Sequence, residues 1–170
     1  QFFKQQNTRN KMMKFNIHTQ ETAPTKSQTL LDTSLKSFGM IPNLHGVMAE
    51  SPPLLEAYQL LHELFQQTGF TAEELTVVWQ TINVEHECGY CVPAHTGIAH
   101  MMKVDEKITN ALRNREDMPT AKLQALHLIT LSLTRNRGHL SNEELKAFYQ
   151  AGYENKHILA IVLGLSQKVM

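Results

Sequence analysis

Several features that mark particular protein classes are scarce in this chain of 170 residues. Basic and acidic residues number 16 each, so no excess of positive charge attracts nucleic acid or an anionic membrane surface. Apolar runs are short and interrupted by charge or glycine, so the sequence predicts no transmembrane helix. The first residues lack the apolar segment of a secretory signal, and two cysteines are too few for a disulfide scaffold. These absences predict a cytoplasmic protein that binds neither nucleic acid nor membranes.

Length and hydrophobic content are those of an ordinary globular protein. With 42% hydrophobic residues, the chain can bury the core of one domain. The polar stretch of residues 1–26 predicts a flexible N-terminal arm, and residues 27–170 predict one helical domain. Because the first residue is not methionine, Met12 or Met13 could be the natural start, with the preceding residues foreign to the natural protein.

Signals for helices recur along residues 27–170. Thr71 with Glu74, and Ser141 with Glu144, have the spacing of capping boxes, in which each side chain satisfies a free N–H at a helix start. No segment alternates apolar and polar residues with a period of two, as a half-buried strand would. The sequence therefore predicts an all-α fold, a compact domain of about seven helices.

Both cysteines lie in residues 85–95, which read Glu-His-Glu-Cys-Gly-Tyr-Cys-Val-Pro-Ala-His. Cys88 and Cys91 have C-x-x-C spacing, and His95 follows Cys91 by one helical turn. A pair of neighbouring thiols beside a histidine is typical of thiol redox chemistry rather than of core packing.

Redox chemistry at this pair requires a thiolate, and an unperturbed cysteine with a pKa of about 8.5 is mostly protonated at neutral pH. The start of a helix near Val92, the imidazole of His95 and the second sulfur are each expected to lower that pKa. A thiolate that attacks peroxide becomes a sulfenic acid, which the second thiol converts to a disulfide. We predict Cys91, nearest His95, as the attacking thiol and Cys88 as the resolving thiol, and the reverse assignment stays open.

Other residues near the cysteines have alternative interpretations. Glu85, three residues before Cys88, is predicted to accept the thiol proton, although it could equally be a solvated residue at a helix end. Zinc is an alternative to redox chemistry, because C-x-x-C and His95 supply three ligands and His86 or His100 could supply a fourth. Zinc sites usually join two separated ligand pairs and no second pair exists, so we predict no metal and no cofactor. Buried cysteines with a structural role are a further alternative.

The segment of residues 85–95 resembles the active-site motif of AhpD-like alkylhydroperoxidases, a branch of the carboxymuconolactone decarboxylase superfamily. The resemblance covers most of residues 30–169. Its further parts are residues 38–44, 51–58, 134–138 and 151–153. The resemblance implies an all-helical fold, assembly into trimers or hexamers, and peroxidase activity with a lipoylated or thioredoxin-like protein as dithiol reductant. Decarboxylases of the superfamily typically lack the cysteine pair, so the resemblance points to the redox branch.

Two positions depart from the pattern of the characterised relatives. These relatives place a relay glutamate twelve residues before the first cysteine, where this chain has Thr76. They have histidine before the second cysteine, where this chain has Tyr90. The resemblance therefore leaves open whether Glu85 or Glu74 replaces the relay glutamate.

The preferred hypothesis is a peroxiredoxin-type alkylhydroperoxidase that reduces hydrogen peroxide or organic hydroperoxides through its dithiol. One alternative is a decarboxylase-like enzyme with His95 and Glu85 as acid and base. The other is a non-enzymatic oligomeric protein whose dithiol responds to redox state. A final segment that is apolar on more than one face predicts a homo-oligomer under any of the three hypotheses.

Overall fold

The computed structural model describes residues 14–170, in which nine α-helices and no strand are present. The predicted all-α fold is confirmed. The helices are α1 (Thr25–Phe38), α2 (Asn43–Met48), α3 (Pro52–Gln66), α4 (Ala72–Glu85), α5 (Cys91–Met101), α6 (Glu106–Asn114), α7 (Ala121–Arg135), α8 (Asn142–Gln150) and α9 (Asn155–Lys168). These nine helices exceed the predicted number of about seven. Across the same described residues, no helix has both the length and the apolarity needed to span a membrane.

The predicted capping boxes are present at two helix starts. Thr71 Oγ1 accepts the N–H of Glu74 at 3.2 Å, while Glu74 Oε2 accepts the N–H of Thr71 at 2.9 Å. Ser141 and Glu144 form the same reciprocal pair at the start of α8. These bonds satisfy N–H groups that would otherwise lack partners, so both helices begin where the sequence predicts.

The chain divides into two compact units, with the boundary inside α3 after Ala57. In the first unit, residues ahead of α1 pack on α2. The N–H of His18 donates to Gly46 O at 3.0 Å, and a Cβ added to Gly46 would lie 2.8 Å from the Ile17 side chain. Residues 1–13 of the predicted arm lie outside the described residues, and the predicted boundary between arm and domain stays a prediction.

The second unit is built around α4. Residues 74–83 of this helix are all buried, and α4 contacts α5, α6, α7 and α9. Trp79, near the middle of this helix, is 1% exposed. A helix buried on every face is held firmly by its neighbours, so the end of α4 gives a fixed starting point for the cysteine segment.

Candidate active site

Helix α4 ends in a Schellman motif that positions Cys88. The N–H of Cys88 donates to Asn83 O at 3.0 Å, and the N–H of Glu87 donates to Val84 O at 3.1 Å. Glu87 has a φ of 52°, a left-handed conformation. A residue other than glycine adopts this conformation at a cost of about 1–2 kcal/mol. The turn fixes the backbone of Cys88 just beyond α4 and shortly before α5 begins.

The sulfur of Cys88 accepts a hydrogen bond from the first residue of α5. The N–H of Cys91 donates to Cys88 Sγ at 3.1 Å. Backbone donors in the first turn of a helix lack partners within the helix and carry partial positive charge. Both cysteines are free thiols and are partly buried. The geometry therefore favours a negative charge on the sulfur of Cys88.

The two thiols have opposite pKa shifts. Burial acts to raise the pKa of Cys88, and hydrogen bonds from the thiol and the N–H of Cys91 act to lower it. With the N–H of Tyr90 and the charge of Lys168 also lowering it, the pKa of Cys88 falls below its ordinary value. Burial raises the pKa of Cys91 to about 11, and the hydrogen bond of its thiol to Cys88 adds to the increase. Cys88 is therefore the first of the two to lose its proton.

This order of the two pKa values favours Cys88 as the attacking thiol and Cys91 as the resolving thiol, which is the alternative that the sequence leaves open. The prediction of Cys91 as the attacking thiol depends on its proximity to His95. In the structure α5 begins at Cys91, one residue before the predicted start near Val92. The N–H of Cys91 therefore has no acceptor within the helix, and it donates a hydrogen bond to Cys88 Sγ. Which sulfur attacks peroxide stays untested.

His95 lies one turn after Cys91 on α5, as predicted, but it is a neutral hydrogen-bond acceptor. It is 6% exposed and packs against Trp79, with 5.1 Å between ring centroids. Lys168 Nζ lies 2.6 Å from His95 Nε2, so the ammonium donates and the ring nitrogen accepts. Burial, with the charges of Lys168 and His62, lowers the pKa of His95 well below its usual value. His95 therefore does not supply positive charge to a thiolate at neutral pH.

The positive charge near the thiols belongs to Lys168, a residue that no sequence pattern predicts. Lys168 ends α9 and is partly buried, with its Nζ 5.9 Å from the centroid of the Tyr58 ring. Burial lowers the pKa of Lys168 to about 8, although the charges of Cys91 and Cys88 act to raise it. The ammonium form still predominates at neutral pH, so a cation acts on both sulfurs.

Gln167 fixes the end of α9 beside the site. This residue is fully buried, and its Oε1 accepts the indole N–H of Trp79 at 3.1 Å. Its Nε2 lies 3.1 Å from His62 Nδ1, and the His62 ring stacks on Trp79 with centroids 5.1 Å apart. These bonds connect α9 to α3 and α4, so they hold the neighbouring Lys168 close to His95.

A pair of buried amides connects α4 to the start of α5. Gln80 Nε2 donates to Val92 O at 3.0 Å and to Thr96 Oγ1 at 3.1 Å. Asn83 Nδ2 donates to Gln80 Oε1 at 3.0 Å. Because buried amides are costly to leave unpaired, this network sets the position of α5 against α4 and so the spacing of the two sulfurs.

Glu85, the predicted proton acceptor, is paired with two arginines. Arg135 donates to its two carboxylate oxygens at 2.6 and 2.9 Å, and Arg115 Nη1 lies 3.6 Å from Oε2. The hydrogen bonds from Arg135 hold the pKa of Glu85 below its ordinary value. A carboxylate stabilised in its ionised form is a weak acceptor for a thiol proton, so the geometry does not favour the predicted role.

Glu74, the other relay candidate, lies at the opposite end of α4 from Cys88. It accepts the hydroxyl of Tyr153 at 3.0 Å and lies 3.0 Å from Lys122 Nζ. The 14 residues of α4 span about 20 Å, so Glu74 does not reach the dithiol directly. Thr76, at the relay position of the resembled family, donates its hydroxyl to a carbonyl within α4 at 2.8 Å.

A metal centre is the chemical alternative to a redox dithiol. Of the three ligands that the sequence offers for zinc, His95 already accepts a hydrogen bond at Nε2 from Lys168. Within residues 14–170, no three side chains of histidine, cysteine, aspartate or glutamate are grouped so that they could hold a metal ion.

Two solved structures share this arrangement of helices. The first is described as an alkylhydroperoxidase AhpD core, an uncharacterized peroxidase-related protein from Ralstonia eutropha JMP134. It is 16% identical, with a TM-score of 0.79 over 91% of this chain and 84% of that one. An uncharacterized peroxidase-related protein from Silicibacter sp. TM1040 is also 16% identical, with a TM-score of 0.73 over 92% and 84%.

The comparisons with sequences give no further relative. No family model matches the chain, and the search of curated proteins finds no match. The structural likeness nevertheless covers most of the molecule. The described part of the protein is thus all-helical, and its fold is AhpD-like, as the resemblance implies.

Proposed function

We propose that this protein is a thiol-dependent peroxidase that reduces hydrogen peroxide or organic hydroperoxides through a dithiol/disulfide cycle. The observation that carries the proposal is the hydrogen bond of 3.1 Å from the N–H of Cys91 to Cys88 Sγ. This bond favours a thiolate at Cys88 beside a second thiol that can react with its oxidised form. The AhpD-like fold, shared with proteins described as peroxidase-related, supports the proposal.

The cycle begins when the Cys88 thiolate attacks one oxygen of the peroxide. A sulfur–oxygen bond forms while the oxygen–oxygen bond breaks, and the leaving oxygen takes up a proton to become water or an alcohol. The thiol of Cys91 then attacks the sulfur of the Cys88 sulfenic acid. A disulfide forms, and the hydroxyl group leaves as water with the proton of the Cys91 thiol.

A second dithiol is needed to complete the cycle. It attacks the disulfide through a mixed disulfide, returns both cysteines to thiols and leaves as a disulfide itself. We propose a lipoylated or thioredoxin-like protein for this step, because a vicinal dithiol can resolve the mixed disulfide within one molecule. The pair of partly buried sulfurs admits a small peroxide more readily than a large thiol, so the reductant is expected to present its dithiol on an extended arm or an exposed loop.

Assembly into trimers or hexamers stays a prediction. Along one face of α9 and at its C-cap, large apolar side chains are exposed: Leu159 by 70%, Val162 by 43% and Val169 by 65%. Large apolar side chains at helical spacing on a surface are typical of a protein contact. Sedimentation of the reduced protein tests the prediction, and a monomer mass at all concentrations would contradict it.

The peroxidase activity is tested by adding one equivalent of peroxide to the reduced protein. We expect two titratable thiols to disappear and an intramolecular disulfide to form, detected as a loss of two hydrogens by mass spectrometry. The Cys88→Ser, Cys91→Ser double variant, matched in fold, should leave the peroxide unreduced. Retention of both thiols in undenatured wild-type protein would contradict the proposal.

The two cysteine roles are separated by the single variants. Cys91→Ser should accumulate a sulfenic acid at Cys88, because the attacking thiolate remains and the resolving thiol is removed. Cys88→Ser should react slowly with peroxide, since Cys91 has the raised pKa. A stable sulfenic acid in Cys88→Ser and none in Cys91→Ser would restore the roles that the sequence predicts.

A further inference from the structure

A partly buried ammonium group, that of Lys168, lies among neutral partners beside the dithiol. Its Nζ lies 2.6 Å from His95 Nε2 and 5.9 Å from the centroid of the Tyr58 ring. Within residues 14–170, Lys168 forms no ion pair with a carboxylate. Lys156, on the same helix, differs because it pairs with Glu154 at 2.8 Å. A cation that is partly removed from water and has no resident anion favours the formation of an anion nearby.

We propose that Lys168 is a positioning residue for the peroxidase reaction, whose charge stabilises the Cys88 thiolate. This inference rests on the proposed function for its catalytic consequence, but the electrostatic effect itself needs no peroxide. Two hydrogen bonds hold the C-terminal end of α9 in place for this role. The indole N–H of Trp79 donates to Gln167 Oε1 at 3.1 Å, and the ammonium of Lys168 donates to His95 Nε2. His95 thus acts on the thiolate through Lys168, as a neutral acceptor that directs the cation.

The charges of the lysine and the thiols act on one another in both directions. Lys168 lowers the pKa of Cys88, and the two cysteines act to raise the pKa of Lys168 against the effect of its burial. A nearby opposite charge favours the charged form of each group. The titratable groups that act on this cluster come from α3, α5 and the segment before α5. They are Tyr58, His62, Cys88, Tyr90, Cys91 and His95.

The effect of the charge is separated from that of the hydrogen bond by two variants. Lys168→Gln keeps a donor for His95 and removes the charge, whereas Lys168→Arg keeps the charge. The rate of alkylation by iodoacetamide, measured against pH on reduced protein, reports the thiolate fraction of Cys88. We expect Lys168→Gln to shift the profile to higher pH and to lower the rate at pH 7 about tenfold or more. Lys168→Arg should stay within about threefold of wild type.

The matched control is Lys156→Gln, the same change on the exposed face of α9, which should leave the alkylation profile unchanged. Thermal melting of each variant shows whether the fold is kept. A Lys168→Gln profile identical to wild type would overturn the inference, and so would equal slowing by Lys168→Gln and Lys168→Arg.

A second measurement needs no variant and keeps the inference testable if Lys168→Gln does not fold. Nuclear magnetic resonance of the lysine side chains gives the pKa of Lys168 in the dithiol form and, after oxidation by diamide, in the disulfide form. We expect the pKa of Lys168 to fall on oxidation, because the negative charge of the Cys88 thiolate disappears, and an unchanged pKa would contradict the inference. Peroxide consumption is measured in parallel. If the wild-type thiols do not react with peroxide but the alkylation profile and the pKa of Lys168 shift as expected, the proposed function fails and the electrostatic role of Lys168 stands.

Discussion

The ends of α4 and α9 each carry a charged side chain that could serve the dithiol, and their surroundings differ. At the end of α4, Glu85 is bonded to Arg135 at 2.6 and 2.9 Å and is close to Arg115. At the end of α9, Lys168 is bonded to a neutral histidine at 2.6 Å. A charge that is already paired with opposite charges shifts the pKa of a neighbouring group only slightly. A charge that is unpaired and partly buried shifts that pKa strongly. Position in the sequence favours Glu85 as the charged residue that acts on the dithiol, but the surroundings of the two residues favour Lys168.

The largest loss of stability is expected from Gln167→Leu, which removes the hydrogen bonds that hold the end of α9 in place. The indole N–H of Trp79 would then lack its acceptor in the core, and we expect a loss of about 1–3 kcal/mol in the free energy of unfolding. Lys168 should also be less well placed, so alkylation of Cys88 should slow. Denaturant unfolding measures the first effect and iodoacetamide kinetics the second.

Ser166→Ala is the control for this variant, because Ser166 is the preceding residue and is exposed. It should leave stability and alkylation close to wild type. If Gln167→Leu is destabilised but Cys88 is alkylated at the wild-type rate, the Cys88 thiolate does not depend on the position of the end of α9.

The pH dependence of stability tests the neutral state of His95. Burial holds the pKa of His95 well below 6.5, so below about pH 6.5 the unfolded chain binds a proton that the folded chain does not. Stability is therefore fully present above that pH and decreases as the pH falls. This one group contributes a slope of about 1.4 kcal/mol per pH unit.

His95→Asn should make this slope shallower between about pH 6.5 and pH 5, as measured by urea unfolding at each pH. His127→Asn is the comparison, because burial also lowers the pKa of His127 and the variant should remove a contribution of the same sign. An unchanged slope in His95→Asn would mean that the imidazole is protonated in the folded protein, contrary to its position beside the ammonium of Lys168.

A smaller effect is expected at the end of α4 from Glu87→Gly. Glycine adopts the left-handed conformation without steric cost, so stability should rise by about 0.5–1 kcal/mol. Alkylation of Cys88 should change by less than about twofold, because the Schellman motif is retained. Thermal and denaturant unfolding measure the gain. A loss of stability would show that the ion pair of Glu87 with Arg115, at 3.8 Å, outweighs the backbone strain.

The smallest effect on activity is expected from Glu85→Gln. The partly exposed ion pair with Arg135 should cost less than about 1 kcal/mol of stability when broken. Peroxide reduction should stay within about threefold of wild type, since the carboxylate has no proton to take up in the proposed cycle. Glu73→Gln, on the exposed side of α4, is the matched control. A fall in rate of about 100-fold or more would restore Glu85 as the relay that the sequence predicts.

Local features of this molecule are predictable from its sequence because their causes are local. The capping boxes at Thr71 and Ser141 depend on side chains three residues apart, and both are present. The grouping of Cys88, Cys91 and His95 follows from C-x-x-C and one helical turn. The AhpD-like fold is implied by a resemblance that covers most of residues 30–169, and the solved structures confirm it.

The charges at the site are less predictable because they depend on distant residues. Arg135 lies 50 residues after Glu85 and decides that this carboxylate is paired at the surface. Lys168 lies 73 residues after His95, and only the packing of α9 on α4 brings them together. A terminal lysine on an apolar helix is usually a solvated residue, so no pattern distinguishes it. The order of the thiol pKa values depends in turn on the residue at which α5 begins.

The most direct test of the central claim is a titration of thiolate absorbance in the two single-cysteine proteins. In Cys91→Ser, the thiol of Cys88 should ionise below the ordinary value of about 8.5, because the first turn of α5 and Lys168 still stabilise its charge. In Cys88→Ser, the thiol of Cys91 should ionise above that value. Ionisation of Cys91 below the pKa of Cys88, or ordinary values for both thiols, would contradict the account.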